Sequence, residues 1–572
     1  MTANVSNGPQ GAVTMAHNHI DAQHVEELAL RMVSWRSETG TPGEAEFSGR
    51  FVQLLKEIPY FRQNPSNIRT VASHGDPLTH NVVALVRGKG RDTVVLAGHF
   101  DTVATDNYHE LKSLSCDSLD LKEALIRDLG KRSRSPQEER ALEDLLSGDF
   151  IPGRGMLDMK SGIAAGIACL ERFAADPDRT GNLMLIVTPD EERESRGMRS
   201  MRNALPDIAR DFDIDVSAAV NLDVTSDQGD GSEGRAVYAG TIGKLLPFAL
   251  VIGCSSHASY PYEGVSAQAM AAGILTRFEG NADLADRDEN DISPPPICLE
   301  AKDLRDGYEV TTPERFWIAL NWLYHGMTAE ELFSRFQHEV STGAVDAVGR
   351  FAAQADTYGK LVGKRAGATP PAPRLITFTQ LRALAAETAG ADFERLYQEQ
   401  EARLSGIDNP LAVSRQLTEW LVEVAHLAGP AIVVGFAGLH YPASHLDETR
   451  TNDRLFKQAI DDTARIFSAF PDQSLVWKPH FQGISDMSFL GQATLGQDVV
   501  SHNTPVSRLV DHPAANALRF PVVNIGPWGR EFHQKLERVH APYAFEVLPQ
   551  IVSMIAEKFL AAKTDTNANK GS

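Results

Sequence analysis

An α/β fold carrying an inserted α+β unit enlarged by helices is what the sequence predicts, and three observations predict it. Short apolar runs alternate with stretches of helical spacing up to about residue 223, the pattern of a sheet flanked by helices. Acidic residues fall at the ends of those runs, where open α/β sheets gather their ligands. The 572 residues exceed what one compact core accommodates, so two domains, or one domain with a large insertion, are expected.

Residues 1–19 are polar and rich in Gly and Asn and read as a disordered tail. No basic region is followed by an apolar core, so no secretory signal is expected. Val25, Leu28, Ala29, Met32 and Val33 recur at helical spacing over Asp21 to Trp35, with Asp21 placed as N-cap. Glu46 to Leu55 reads as a second helix. Asn81 to Arg87 and Thr93 to Ala97 read as strands, separated by the turn signal Gly88-Lys89-Gly90. Leu121 to Leu146 is charged, helical in pattern, and reads as a surface insertion. The small-residue run from Ser161 to Phe173 predicts a tightly packed helix. Strand Leu183 to Thr188 delivers Asp190-Glu191-Glu192 at its end, and Ala218 to Leu222 delivers Asp223.

Near Tyr238 the character changes. Leu245 to Ile252, a helix over Ser266 to Phe278 and the strand-like Arg315 to Leu323 make a smaller α+β unit. Thr328 to Leu427 is mostly helical, interrupted by the Pro-rich stretch Ala366 to Pro373. Ile432 to Leu439 reads as a strand, Thr451 to Phe470 as a returning helix, Val522 to Ile525 as the strand before His533, and Ala544 to Ala562 as the terminal helix. The expected boundaries are a discontinuous catalytic unit, 20–240 with 446–562, an inserted unit at 241–445, and a second disordered tail at 563–572.

A formal net charge of -21 and a pI near 5.3 argue against a nucleic-acid or anionic-membrane partner, which would be repelled. No apolar stretch is long enough to span a bilayer. Cys116, Cys169, Cys254 and Cys298 show neither CxxC spacing nor disulfide density, which suits a reducing cytoplasm. Cys254 reads as a small buried hydrophobe in preference to a reactive thiol.

His99 and Asp101 stand two apart, so on a regular strand they share a face, and Asp101 is placed to fix the tautomer of a ligating His99. Alone, such a pair is more often a core or surface histidine. Asp158 lies among small residues in Gly153 to Gly162; its two oxygens suit it to bridge two cations, with a helix N-cap as the even alternative. Glu191 and Glu192 are adjacent in an extended segment, so one can bind metal while the other faces an attacking water as general base. The bland reading is a solvated acidic turn. With Asp223 and His533, histidines and carboxylates at strand ends and no thiolate are what a pair of zinc-like ions needs.

These segments resemble the co-catalytic zinc aminoacylases, dipeptidases, acetylornithine deacetylases and glutamate carboxypeptidases of peptidase clan MH. The resemblance rests on Gly98-His99-Phe100-Asp101-Thr102-Val103, Gly153 through Gly162, Thr188-Pro189-Asp190-Glu191-Glu192, Gly483-Ile484-Ser485-Asp486, and Gly526-Pro527 followed by His533 to Val539, in that order. It implies a zinc-exopeptidase-like mixed sheet with an inserted lid and dimerisation domain. It implies His99 and Asp223 on one metal, Glu192 and His533 on the other, Asp158 bridging, Asp101 orienting His99, and Glu191 as general base. It further implies a cis peptide at Asp158-Met159, and a lid motif, Gly253 to Pro261, whose His257 helps bind the scissile carbonyl. A lid arginine of many relatives has no counterpart in Ala319-Leu320-Asn321-Trp322. Length, Gly483 to Ser488 and Val310 to Pro313 are most similar to the arginine-utilisation, RocB-like branch.

The resemblance thus implies a dinuclear metal-dependent hydrolase that cleaves an amide bond of a small substrate, an N-acyl amino acid or related amide, by attack of a hydroxide held between two divalent ions. Zinc is expected, with cobalt or manganese as alternatives. A dipeptidase or carboxypeptidase with the same site, and a catalytically silent binding protein, are the competing readings. A homodimer formed through the lid is expected.

Overall fold

The computed structural model describes residues 20–226, 235–363, 370–469, 473–492 and 498–570. Residues 1–19, part of the Pro-rich stretch and the last two residues of the expected second tail lie outside them. The N-terminal part contains α1 (Ala22–Ser34), α2 (Pro42–Glu57), β1 (Ile68–Ala72), β2 (His80–Arg87), β3 (Lys89–His99), α3 (Ser118–Gly130), α4 (Pro136–Ser147), β4 (Phe150–Pro152), α5 (Ser161–Ala175), β5 (Thr180–Thr188), α6 (Arg196–Phe212), β6 (Asp215–Asn221), β7 (Thr225–Ser226) and β8 (Arg235–Tyr238). The inserted part contains β9 (Gly240–Thr241), β10 (Gly243–Leu245), β11 (Pro247–Ile252), α7 (Ala267–Phe278), β12 (Ile297–Asp303), β13 (Arg315–Tyr324), α8 (Ala329–Leu361), β14 (Arg374–Thr377), α9 (Phe378–Ala389), α10 (Phe393–Arg403), α11 (Pro410–Val424), β15 (Ala431–Phe436) and β16 (Ser444–His445). The chain returns through α12 (Thr451–Phe467), β17 (Leu475–Lys478), β18 (Val522–Asn524), β19 (Trp528–Arg530), β20 (Arg538–His540) and α13 (Leu548–Lys570).

The principal sheet has eight strands in the order β1-β2-β5-β3-β6-β18-β8-β17. β3 runs parallel to β5 and β6, so His99, Thr188 and Asn221 end at one rim of the sheet. Alternation splits the apolar side chains. Val82, Ala84, Val94 and Leu96 pack against α1, α2, α5 and α13, whereas Val83, Leu85, Val95 and Ala97 pack against α6. β2 and β3 are consecutive yet do not pair, because β5 inserts between them; the Gly88 turn therefore joins strands across a gap rather than closing a hairpin. Asp21 caps α1 as expected, accepting from the Gln23 backbone N–H at 3.0 Å. α5 packs as tightly as its small residues suggest: a Cβ on Gly162 would stand 2.1 Å from the Leu222 carbonyl oxygen, next to Asp223.

The inserted sheet runs β10-β13-β11-β15-β14, with β12 on the free side of β13. α7 and α8 cover one face through Ala271, Ile274, Phe333 and Phe336, and α9, α10 and α11 cover the other through Leu381, Tyr397 and Leu417. The helical stretch after Thr328 thus covers both faces of this sheet, α8 beside α7 and α9 to α11 opposite. The two passages between the sheets run side by side, with β9 paired to β16 and Lys244 paired to Tyr441. The terminal helix continues through Lys570 instead of stopping at Ala562, correcting the tail expected at 563–572.

Candidate metal centre

A small sheet, β4-β20-β19-β7, assembles the centre. β4 leads into Gly153 to Asp158, β7 follows Asp223, and β19 and β20 bracket His533. His99 closes β3, and Glu191 and Glu192 follow β5. The peptide bond Asp158–Met159 is cis, and Asp190 and His533 adopt positive φ.

Asp158 lies between the two imidazoles. Its Oδ1 is 3.1 Å from His99 Nε2 and its Oδ2 is 3.1 Å from His533 Nε2. Glu192 Oε2 is 3.0 Å from the same His533 nitrogen, and Asp223 Oδ1 is 3.7 Å from His99 Nε2. Two ligand atoms bound about 2.1 Å from one tetrahedral ion lie about 3.4 Å apart, and the ligand atoms of His99, Asp158 and Glu192 all lie within 4.8 Å of one another. Glu191 Oε2 approaches His99 Nε2 at 3.8 Å. His99, Asp101, Asp158, Glu191 and Asp223 are buried, while His533 keeps 42% of its side chain exposed at the mouth.

Asp101 does more than its spacing suggests. Its carboxylate stands 3.5 Å from His99 Nδ1, but the closer neighbour of that nitrogen is the Asp101 carbonyl oxygen at 3.1 Å. Both contacts favour a proton on Nδ1, leaving Nε2 as the ligating atom. The carboxylate oxygens also accept the backbone N–H groups of Glu191 and Glu192 at 3.1 and 3.2 Å, so Asp101 fixes the turn carrying both glutamates. Arg154 and Glu537 form a buried ion pair beneath. Glu537 accepts from Gly155 N–H at 2.9 Å, and Arg154 donates to the His533 carbonyl at 3.2 Å.

The electrostatics call for cations. Burial raises Glu191 well above the usual carboxylate range, and the nearby Asp223 and Glu192 add to it. Burial and Asp158 likewise push Glu192 up to about 7. Burial opposes charge on His533, yet Asp158 and Glu192 outweigh it and push the imidazole up to about 11. Five carboxylates crowding two imidazoles is a net negative pocket that divalent ions neutralise.

Among the described residues a second group, Glu44, His74 and Asp190, also offers three ligand types. There Asp190 is already held by Arg196, whose Nε and Nη2 donate to its two oxygens at 2.7 and 2.6 Å. That group braces the turn behind Glu191. His257 stands exposed in the inserted unit, its Nδ1 accepting from Ser259 N–H at 3.1 Å, and among the described residues it makes no hydrogen bond or ion pair with the centre. Ala319 to Trp322 is interior strand, with Ala319, Leu320 and Trp322 fully buried. The sequence reading missed Asp486 as a site residue. It is buried, accepts from Thr188 Oγ1 at 3.0 Å, feels His99, and is raised by burial to about 7. Its place in Gly483-Ile484-Ser485-Asp486 was the available signal.

The sequence matches the model of peptidase family M20/M25/M40 over residues 145–505, more than half of the chain. The chain belongs to that family. It is 29% identical to the uncharacterized protein YqjN of Bacillus subtilis (strain 168) over 541 residues, 93% of this chain and 96% of that one. It is 27% identical to Protein RocB of the same organism over 545 residues, 93% and 94% respectively. A succinyl-diaminopimelate desuccinylase of Nitratiruptor sp. is 29% identical over 208 residues, 36% of this chain and 54% of that enzyme. The fold is shared with a tripeptidase from Staphylococcus aureus (TM-score 0.50, 15% identity, 95% and 99% coverage) and with aminopeptidase PepT from Bacillus cereus (0.50, 14%, 94% and 99%). The M20/M25/M40 chain is a metal-dependent hydrolase of amide bonds with a dinuclear donor set. Among the described residues no helix is long and apolar enough to cross a membrane.

Proposed function

We propose that this chain is a zinc-dependent amidohydrolase of small N-acyl amino acids or related amides, with cobalt or manganese able to substitute. Asp158 shared between His99 and His533 carries the reading. His99 and Asp223 would hold one ion, Glu192 and His533 the other, and Asp158 both. The ions supply Lewis acidity and lower the pKa of water. Glu191 would take the proton from the attacking water as its oxygen bonds to the amide carbonyl carbon. When the C–N bond breaks, Glu191 would return that proton to the leaving amine. Burial, which raises Glu191, suits it to hold the proton between these steps. Asp101 would position His99 and both glutamates.

The similarity to RocB over nearly the whole chain supports placement in an arginine-utilisation branch, and the composition supports a cytoplasmic setting without nucleic-acid or membrane partners. The unit at 241–445 would act as lid and dimerisation domain, with His257 reaching the partner's site. Glu191→Gln should keep its metal while kcat falls at least ~10²-fold on whichever N-acyl amino acid or dipeptide a substrate panel selects. Near-normal turnover would remove Glu191 from its role. Asp158→Ala should lose metal, and retention of two tightly bound ions would refute the shared ligand.

A further inference from the structure

The segment from Asn503 to Asp511 comes after the chain has left the inserted sheet, yet its first part is built into that unit's helical layer. Val506 and Leu509 are buried in the apolar cluster of α9, α10 and α11. Asn503 Oδ1 accepts from Thr379 N–H at 3.1 Å, and Glu401 of α10 accepts from the N–H and the Oγ of Ser507, both at 2.6 Å. The far end is fastened to the principal sheet's α6 instead, where Arg199 and Arg202 donate to the Asp511 carboxylate at 3.0 and 2.7 Å. The segment is a strap between the two.

Arg508 reaches out from the middle of it. Its Nη2 donates to the Ile407 carbonyl, between α10 and α11, at 3.2 Å, and its Nη1 to Glu194 Oε1 at 2.6 Å. Glu194 closes the turn that bears Glu191 and Glu192, its N–H donating to the Asp190 carbonyl at 3.3 Å, and its side chain is only 7% exposed. Its second oxygen lies 3.7 Å from Arg196 Nε, the same nitrogen that donates to Asp190 Oδ2 at 2.7 Å. Charges therefore alternate from the helical layer to the residue before Glu191: Arg508, Glu194, Arg196, Asp190. Asp190 and Ser195, at φ 66° and 46°, stand in the left-handed region, which non-glycine residues keep only where their surroundings impose it. Without Arg508 the buried Glu194 has Arg196 as its remaining cation and draws it away from Asp190.

We propose that Arg508 is a positioning residue, which holds the turn bearing Glu191 from the helical layer of the inserted unit and so aims the base. This rests on the reading of Glu191 given above and extends it to a residue far from the metal ligands in sequence. A base moved by a fraction of an ångström from the proton it takes loses much of its effect.

The test uses the zinc-loaded full-length chain and two measurements. In Arg508→Met, kcat on the compound selected by the substrate panel should fall ~10-fold with KM within ~2-fold and metal content unchanged. Independently of turnover, backbone amides of residues 189–196 should exchange hydrogen ~10-fold faster, while those of α1 keep the wild-type rate. Arg508→Lys, whose ammonium can still meet Glu194, should bring both measurements back to within ~3-fold. Adding Glu194→Gln to Arg508→Met removes the charge that competes for Arg196, and should restore both likewise. Arg508→Gln replaces Met should that variant fail to fold. Unchanged exchange in the turn overturns the assignment, as does equal acceleration in the turn and α1, or a double variant no better than Arg508→Met. Faster exchange in the turn with full kcat removes the positioning role and leaves Glu191 as base. Normal turnover of Glu191→Gln beside a loosened turn in Arg508→Met removes the base reading and leaves the hold of Arg508 on the turn.

Discussion

His440 shows how a single buried ring sets a pH limit away from the chemistry. It is 5% exposed, and Tyr324 Oη stands 2.5 Å from its Nε2. Burial pushes its pKa down to about 4, only partly opposed by Asp511. The unfolded chain takes up this proton near pH 6.5 and the folded chain resists until about 4. The unfolded state therefore binds more protons in that window, and stability falls as pH drops through it, by about 3 kcal/mol from this group. His440→Phe should show that much less acid destabilisation between pH 6.5 and 4 in urea unfolding, while losing some stability at pH 7.5 for the unpaired Tyr324 hydroxyl. An unchanged pH slope would remove His440 as its source. At this scale the site was legible where side chains fall on motif-like spacings, as with His99, Asp101, Glu191 and Glu192. Asp486 stands in the motif Gly483 to Asp486, but its role at the site comes from burial and from Thr188, far away in sequence.

Elements of regular period were read well, because alternation over β3 and β5 and helical spacing over α1 are direct imprints of the core. The small sheet that builds the centre escaped. Strands of two or three residues, β4, β7, β19 and β20, are too short to show a period, and their pairing joins segments hundreds of residues apart. What holds that sheet to its task is the buried pair of Arg154 and Glu537, which grips the Asp158 loop and the His533 loop together. Removing one member strands the other. Glu537→Ala should cost about 3–5 kcal/mol of stability and weaken metal retention, because the two loops separate, and Glu537→Gln should lose less of both. Equilibrium dialysis against a chelator alongside denaturant unfolding reads the two effects, and full metal affinity in a destabilised Glu537→Ala chain would break the link.

At the scale of the molecule, the inserted unit sits on two adjacent passages, with β9 paired to β16 and Lys244 to Tyr441. His257 is exposed, and among the described residues β12 is one free edge of the sheet, with Leu299 53% and Ile297 40% exposed. An unpaired edge bearing apolar side chains is a surface suited to a second copy. The helical layer of α9 to α11 covers a face of the sheet and leaves this edge open. If two chains pair there, each His257 can enter the other's centre, a claim that complementation decides. His257→Ala and Glu191→Gln, each inactive alone, are co-expressed. In a mixed dimer one site receives an intact Glu191 from the first chain and an intact His257 from the second, while the other site lacks both. Random pairing makes about half the dimers mixed, each with one good site of two, so roughly a quarter of wild-type activity should return. With His257 acting inside its own chain every site lacks one group, so no recovery in verified mixed dimers refutes the trans assignment. A monomer by sedimentation would refute it sooner.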